Sequence, residues 1–356
     1  MGCSSSSVKT AQILSVCRLC DKETNVKWNC LDCKYKMCQN CVENEHSKIN
    51  NAIKHKIIDV KDEDSQRNGA KRTLLKLKDP QKYKTDLYTI FRLAVDCNNS
   101  IWMYDINSQA LKRVNINGGM LNIAANFKQD MSGMAAMQPN IFLIASYEES
   151  FFLKMYSDKT QQFVDSKYDT SPMKPKSVHV TSDNCVVVGA ENQAKKREVV
   201  IVFESNGKRK EIYEKGENNK PMFTFTAGIT STHDGHISVI DWLDESGIGQ
   251  IVVLGRAGCV KNVYTGHPYV NNEDDPFTPS SIIATPSNKI IVTDFRNDTL
   301  HVLSSVGFLL THINTPDLGI MNPYSLALDK MGDLLIGNNP DNEDNATLYR
   351  LKIIEN

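Results

Sequence analysis

Six cysteines and two histidines form the densest cluster of metal-ligating side chains in this sequence. Their spacing is Cys-x2-Cys-x9-Cys-x2-Cys-x4-Cys-x2-Cys-x4-His-x8-His, and the residues are Cys17, Cys20, Cys30, Cys33, Cys38, Cys41, His46 and His55. Zinc is held tetrahedrally by four thiolates or imidazoles. Eight ligands therefore predict two zinc ions. Both would be structural, because the protein fills every coordination position and leaves none for water or substrate.

The three Cys-x2-Cys pairs and the His pair could be joined consecutively or alternately. Alternate joining ties a short chain together across its length, which suits a segment too small to fold on a hydrophobic core alone. The apolar residues available for a small core between the metals are Trp28, Tyr35, Met37 and Ile57.

This pattern resembles the B-box zinc finger of the tripartite-motif proteins over about residues 14–60. The likeness includes Trp28 two residues before Cys30, and the apolar end Lys56-Ile-Ile-Asp-Val60 after the last histidine. A ZZ-type finger is the nearest rival, but Lys34-Tyr35-Lys36 does not match its acidic-aromatic run. The resemblance implies a cross-brace, with one zinc on Cys17, Cys20, Cys38 and Cys41 and the other on Cys30, Cys33, His46 and His55.

The N-terminus carries a second chemical signal. The chain begins Met-Gly-Cys-Ser-Ser-Ser-Ser, so Gly2 is the acceptor of a myristoylation pattern that is completed by Ser6. One myristoyl chain binds a membrane only marginally, and the adjacent Cys3 could supply the second anchor by palmitoylation. We therefore predict a cytoplasmic protein held peripherally on the cytoplasmic membrane leaflet. An ordinary serine-rich tail is the alternative.

Composition limits the class of protein. The 356 residues are 40% hydrophobic and 23% charged, which is typical of a globular chain. The net charge of −1 disfavours nonspecific binding to nucleic acid. The clustering of the cysteines indicates metal binding in a reducing compartment, not a secreted disulfide scaffold. No apolar run approaches the roughly 18 residues of a membrane span.

The rest of the chain contains six related units. In each, a short strand leads into an Asp, Asn, Gly or Pro turn and then into a strongly apolar strand, as in Ser281–Asn288 followed by Lys289–Asp294. The units start at residues 92, 133, 177, 228, 281 and 325. Strand-rich repeats of roughly 40–50 residues are typical of propeller blades. The predicted fold is thus mainly β, a small cross-braced two-zinc finger followed by a six-bladed β-propeller.

The sixth unit is too short to supply its own outer strand. We expect an upstream strand to close the ring, because closure leaves no blade with an open edge. Lys71–Lys78 is the best candidate and Thr85–Ile90 is the alternative. The repeats resemble the NHL propellers that follow B-boxes in some tripartite-motif proteins. The predicted domains are a lipidated tail (1–13), the finger (14–60), a linker with the closing strand (61–83) and the propeller (84–356).

The usual partners of a B-box are missing. Only 16 residues precede Cys17, too few for a RING finger, and residues 61–83 show no sustained heptad pattern. We therefore expect no RING-dependent ligase activity and a monomer. The sequence predicts a non-enzymatic adaptor that binds a protein partner through its B-box and propeller loops.

Two other functions stay open. Some NHL propellers bind single-stranded RNA, and basic runs occur at Lys195–Arg197 and Lys208–Lys210. Some six-bladed propellers are calcium-dependent lactonases or hydrolases with carboxylates at the channel mouth. Four aspartates end predicted inner strands and could converge there: Asp96, Asp241, Asp294 and Asp329. The simpler interpretation is that these aspartates cap turns.

Overall fold

The computed structural model describes residues 15–16, 23–24, 28–30, 36–44, 46, 57–59, 75–137, 141–146, 150–157, 160–216, 219–256, 258–268, 270–340 and 344–355. The chain divides into two compact units, Met1–Thr73 together with Asn356, and Leu74–Glu355.

The first unit contains short elements. They are β1 (Ser15–Val16), β2 (Glu23–Thr24), β3 (Trp28–Cys30), β4 (Lys36–Met37), α1 (Gln39–Asn44) and β5 (Ile57–Asp59). Strand β1 pairs with β2, and β3 lies between β4 and β5 in an antiparallel sheet. Among the described residues no helix is long and apolar enough to cross a membrane.

The second unit is a β-propeller of six four-stranded antiparallel sheets. Blade 1 consists of β7 (Arg92–Val95), β8 (Ile101–Asp105), β9 (Ala110–Asn117) and β10 (Met120–Lys128). Blade 2 consists of β11 (Met131–Met137), β12 (Ile141–Ser146), β13 (Phe152–Ser157) and β14 (Gln162–Asp169). Blade 3 consists of β15 (Lys174–Val180), β16 (Val186–Asn192), β17 (Arg197–Phe203) and β18 (Arg209–Tyr213).

The remaining blades follow the same plan. Blade 4 consists of β19 (Thr226–Ser231), β20 (Ile237–Trp242), β21 (Gly249–Leu254) and β22 (Val260–Tyr264). Blade 5 consists of β23 (Pro279–Ala284), β24 (Ile290–Asp294), β25 (Thr299–Leu303) and β26 (Leu309–Asn314). Blade 6 consists of β27 (Pro323–Leu328), β28 (Leu334–Asn338), β29 (Thr347–Glu355) and an upstream strand, β6 (Leu75–Lys84). Short 3-10 turns lie at Phe295–Asn297 and Pro316–Leu318.

The predicted six-bladed propeller is therefore confirmed. Its closing strand also comes from upstream, as expected: β6 pairs antiparallel with β29, from Leu75 opposite Glu355 to Lys84 opposite Thr347. The strand overlaps the first of the two predicted candidates and continues beyond it. Blade 6 thus joins residues from both ends of the propeller sequence, and this pairing closes the ring of blades.

The hydrophobic core lies between the blades. Six clusters of buried side chains occur, one in each interface between neighbouring blades. The middle strands are buried on both faces, which is why β24 begins with the apolar run Ile290–Val292 and β28 with Leu334–Ile336. Between blades 1 and 2, Trp102 stacks on Phe142 at 4.1 Å between ring centroids.

The turn that follows the innermost strand has the same backbone hydrogen bond in five of the blades. Its first residue accepts a backbone hydrogen bond from the residue three positions later, in the pairs Asp96–Asn99, Thr181–Asn184, Thr232–Gly235, Thr285–Asn288 and Asp329–Gly332. The later residue has a positive φ in every case. Only glycine and asparagine are common in that conformation, and this accounts for the turn signature in the sequence.

Candidate functional site

The innermost strands of all six blades surround a central cavity of about 400 Å³. Each is the terminal strand of its sheet, so one edge of its backbone faces the propeller axis without a strand partner. Unpaired N–H and C=O groups make such a wall polar even where the side chains are small. The blades approach closely here: a Cβ on Gly133 would lie 3.0 Å from the Cα of Ser177. We call this cavity the central channel.

The two ends of the channel differ chemically. We call the end at which the innermost strands begin the start face, and the end at which they finish the end face. At the start face, Arg92 donates from Nε to the Ser132 carbonyl at 2.8 Å and from Nη2 to the Ala227 carbonyl at 3.1 Å. Its guanidinium also stacks on Phe91, 4.3 Å from the ring centroid. One side chain therefore links blade 1 with blade 2 and with blade 4, across the channel.

A charged cluster lies beside the first residue of β19, at the same face. Lys176 Nζ is 2.6 Å from Glu198 Oε1 and 3.1 Å from Glu191 Oε2, and it sits 3.9 Å from the centroid of the Phe225 ring. Glu198 is 5% exposed, and its other oxygen accepts hydrogen bonds from the backbone N–H and hydroxyl of Thr226. These contacts join blade 3 to blade 4.

At the end face, a histidine and a serine from adjacent blades meet. His179 of β15 lines the channel, and its Nε2 is 2.9 Å from Oγ of Ser231, the last residue of β19. Desolvation lowers the pKa of His179 from 6.5 to about 4, so the imidazole is neutral at pH 7. A neutral imidazole at hydrogen-bond distance can accept the serine proton, which is the arrangement of a nucleophile and its general base.

The expected convergence of four aspartates at one channel mouth is wrong. Asp96 and Asp329 follow the innermost strands β7 and β27 and lie at the end face, whereas Asp241 and Asp294 lie on the second strands β20 and β24, at the start face. Asp96 accepts hydrogen bonds from the N–H groups of Asn98 and Ser100, and its second oxygen pairs with Arg113 at 2.7 Å. The two pairs belong to opposite faces, so they cannot share one ion.

Asp241 and Asp294 lie on second strands. Each accepts hydrogen bonds from the backbone of the segment that leads into the innermost strand of its own blade. Asp241 Oδ1 accepts from the N–H groups of Thr224 and Phe225. Burial raises the pKa of Asp241 more strongly than these hydrogen bonds lower it. For Asp294, burial also opposes ionisation, but hydrogen bonds led by that with His301 outweigh it and lower the pKa. The turn-capping interpretation of these residues fits the structure.

Asp294, His301 and Tyr264 are linked by hydrogen bonds in the order carboxylate, imidazole and hydroxyl, as in a catalytic triad. His301 Nε2 is 3.2 Å from Asp294 Oδ2, and His301 Nδ1 is 2.8 Å from the Tyr264 hydroxyl. Both His301 and Asp294 have no solvent exposure, and Tyr264 packs in the core between blades 4 and 5. Burial raises the pKa of Tyr264. A substrate cannot reach this network, so we interpret it as a packing element.

The prediction of two structural zinc ions is contradicted. In the part of the chain that the structure describes, no group of three or more His, Cys, Asp or Glu side chains is arranged to hold a metal ion. Of the eight predicted ligands, Cys38, Cys41 and His46 have described side chains, and Cys30 lies in β3. Cys17, Cys20, Cys33, His55 and the predicted lipidation sites Gly2 and Cys3 lie outside the described residues.

Sequence reasoning missed Arg92, His179 and Ser231. A partial signal existed, because the alternation in Ser177-Val-His-Val places His179 on the same strand face as Ser177. Its partner is 52 positions away and belongs to the next blade. Only the closure of the ring shows that these two residues meet.

Comparison with known proteins gives no sequence relative. No family model matches the chain. No curated protein matches it either.

Solved structures with the same fold do exist. A gluconolactonase from Xanthomonas campestris is 13% identical, with a TM-score of 0.54, and the match covers 73% of this chain and 85% of that one. The PQQ-bound aldose sugar dehydrogenase of Streptomyces coelicolor is 10% identical, with a TM-score of 0.54 and coverage of 79% and 98%. A glucose dehydrogenase-type oxidoreductase of Thermus thermophilus is 11% identical, with a TM-score of 0.53 and coverage of 78% and 100%.

These neighbours correct the prediction of a non-enzymatic adaptor. They are named as enzymes, and none is named as an adaptor or a zinc finger. At 10–13% identity the likeness itself shows the fold, and the activities belong to those proteins. The comparisons show a six-bladed β-propeller.

Proposed function

We propose that the propeller is a hydrolase that acts on a small ester or lactone in the central channel. The observation that carries this proposal is the 2.9 Å contact between His179 Nε2 and Ser231 Oγ at the end face. The channel volume of about 400 Å³ is in the range of small-molecule sites. The enzyme names of the structural neighbours support the same class of function.

The chemistry follows from the two side chains. His179 removes the hydroxyl proton as Ser231 Oγ attacks the substrate carbonyl, and a tetrahedral oxyanion forms. Collapse of this intermediate breaks the bond to the leaving alkoxide, which takes the proton from the imidazolium. Water then attacks the acyl-serine in the same way, giving the acid and restoring Ser231. N–H groups on the unpaired strand edges of the channel are the donors available to the oxyanion.

A calcium site does not fit the described residues. The carboxylates proposed from the sequence are separated between the two faces, and each accepts hydrogen bonds from backbone N–H groups of its own blade. No acidic residue lines the described part of the central channel. The proposed reaction therefore depends on His179 and Ser231 and uses no calcium ion.

The first experiment measures hydrolysis of p-nitrophenyl acetate and of glucono-δ-lactone by the full chain. We expect turnover, and a loss of at least about 100-fold in kcat/KM in both Ser231→Ala and His179→Gln, the size typical of general-base catalysis. A fluorophosphonate should label Ser231 covalently, which mass spectrometry of the peptides would locate. Equal labelling of Ser231→Ala and the wild type would disprove the proposal.

Ser246→Ala is the matched control. Ser246 lies on the exposed turn after β20 in the same blade, where its hydroxyl contacts Asp244 at 2.6 Å and no histidine. Its hydrolysis rate and its labelling should equal those of the wild type.

For the N-terminal part we propose, from the sequence pattern alone, acylation of Gly2 and Cys3. Fractionation of cells expressing the wild type and Gly2→Ala tests this, since only the wild type should sediment with membranes. The B-box likeness of residues 14–60 is likewise a proposal. It is supported by the cysteine spacing and by the described sheet β4-β3-β5. Intact propeller activity after deletion of residues 1–60 would show that this part is an independent module.

A further inference from the structure

A second cavity lies at the end face, in the groove between blades 6 and 1. It has a volume of about 340 Å³, which is large enough for a small ligand. Its polar lining consists of Asn98, Asn99, Asn115, Asn117, Asp329 and Arg350, and Ile101 and Ile116 supply apolar surface. We call it the asparagine groove. It shares no lining residue with the central channel.

Blade 6 contributes an arginine whose charge is already balanced. Arg350 Nη2 is 2.7 Å from Asp329 Oδ2 and 3.0 Å from Asp333 Oδ2. Two carboxylates therefore face one guanidinium, and no excess positive charge remains to attract an anion. The groove is unsuited to a phosphate or a carboxylate.

The arginine offers no free donor to the groove. Its Nε makes no hydrogen bond within the described residues, but this atom is buried and a ligand in the groove cannot reach it. The hydrogen bonds to a ligand would therefore come from the carboxamides of the lining.

Blade 1 contributes four carboxamides, of which three make no side-chain hydrogen bond within the described part of the protein. The structure records side-chain bonding for Asn99, which accepts from the N–H of Lys330 at 3.0 Å, but none for Asn98, Asn115 or Asn117. Asn115 and Asn117 lie on one face of β9, because they are two residues apart on a strand. Each carboxamide offers both a donor and an acceptor.

We propose that the asparagine groove binds a neutral polyhydroxylated ligand, a monosaccharide or a cyclic polyol. Hydroxyl groups both donate and accept, so they match carboxamides. The half-buried Ile116 supplies apolar surface that suits the C–H face of a sugar ring. This site is separate from the proposed hydrolase site and does not depend on it.

Ligand-observed NMR and calorimetry on the full chain test the proposal. The probes are methyl α-D-glucopyranoside, methyl α-D-galactopyranoside and myo-inositol, with gluconate and glucose 6-phosphate as their anionic counterparts. We expect saturable binding of at least one neutral probe and weaker binding of both anions. Absence of binding by every neutral probe, or tighter binding of an anion, would overturn the proposal.

Variants locate the binding. Asn98 and Asn117 are exposed, so Asn98→Ala and Asn117→Ala should fold normally and should weaken binding of the neutral probe about tenfold when combined. Asn126→Ala is the control, since Asn126 is an exposed carboxamide on the outer strand β10 of the same blade, where it lies opposite Lys112 and not opposite a residue of the groove. Ser231→Ala should retain full affinity, which separates this site from the hydrolase. Unchanged affinity in the double variant would show that the probe binds elsewhere.

Discussion

Arg92 Nη2 donates a hydrogen bond of 3.1 Å to the carbonyl of Ala227, a residue 135 positions away on the opposite side of the central channel. Neighbouring blades in a propeller are joined by their hydrophobic faces, whereas opposite blades have no shared core. This one bond therefore couples blades 1 and 4 directly. It also places a cation at the start face, opposite the end that carries His179.

Replacing Arg92 by methionine tests the importance of this link. Methionine keeps the apolar contact with Phe91 but leaves the carbonyls of Ser132 and Ala227 without their donor. We expect the free energy of unfolding to fall by about 1–3 kcal/mol in urea titration. Arg256→Met is the control: Arg256 also donates to a carbonyl, that of Asp234, but at an exposed site, and its effect should stay within about 0.5 kcal/mol.

The neutral state of His179 predicts a pH dependence of stability. Its pKa is about 4 in the folded chain and near 6.5 when unfolded. The unfolded state then binds more protons between these values, so stability is fully present above pH 6.5 and declines as the pH falls towards 4. His179→Gln should flatten this part of the pH profile of thermal unfolding. An unchanged slope in the variant would contradict the assignment.

The same pKa sets the expected pH profile of hydrolysis. A base with a pKa of about 4 stays deprotonated at neutral and mildly acidic pH. We expect kcat/KM to be level from pH 7 down to about 5 and to fall tenfold per unit below about 4. An inflection near 6.5 would mean that a solvated histidine acts as the base.

Glu198 should be a strong determinant of stability. It is 5% exposed and holds both Lys176 and the start of β19. Glu198→Ala leaves a largely buried ammonium with only Glu191, so we expect a loss of about 3–5 kcal/mol in denaturant unfolding. For comparison, Asp165→Ala removes a pair of similar length with Lys154, but Asp165 is 57% exposed and the change should cost under about 1 kcal/mol.

Calcium should have no effect on the propeller. The aspartates that would supply ligands are used by backbone N–H groups, and they lie at opposite faces. A cation that bound the native state at 100 times its dissociation constant would add about 2.7 kcal/mol of stability. We therefore expect the same melting temperature in excess calcium and in EGTA. A rise in calcium would show that a site exists.

The propeller was predictable because its signals are local and repeated. In blade 5, the sequence predicted a short strand within 281–288 and an apolar strand within 289–294, and the structure places β23 at Pro279–Ala284 and β24 at Ile290–Asp294. The need for a closing strand was predictable because the sixth unit is too short to supply its own outer strand. The first of the two candidate segments contains Leu75-Lys-Leu-Lys78, which alternates apolar and charged residues as a half-buried strand does.

The site was not predictable for the opposite reason. His179 and Ser231 are unremarkable in sequence, and they form a pair only because β15 and β19 become neighbours in the ring. The aspartates misled because they occupy similar positions in the repeat but belong to different strands of the blade. Asp96 follows the innermost strand of its blade, whereas Asp241 lies near the end of the second strand of its blade. Because neighbouring strands are antiparallel, the two residues lie at opposite faces of the propeller.

The pairing of β6 with β29 has a consequence for synthesis. During translation β6 leaves the ribosome more than 260 residues before its partner, a wait of roughly 15–50 s at the usual elongation rates. An orphan strand of alternating apolar residues is an aggregation hazard during that time. Strand β6 contains Pro80 and four lysines, Lys76, Lys78, Lys82 and Lys84. Lysine and proline disfavour pairing with other exposed strands. The strand that closes the folded propeller therefore also resists aggregation while the chain is being synthesised.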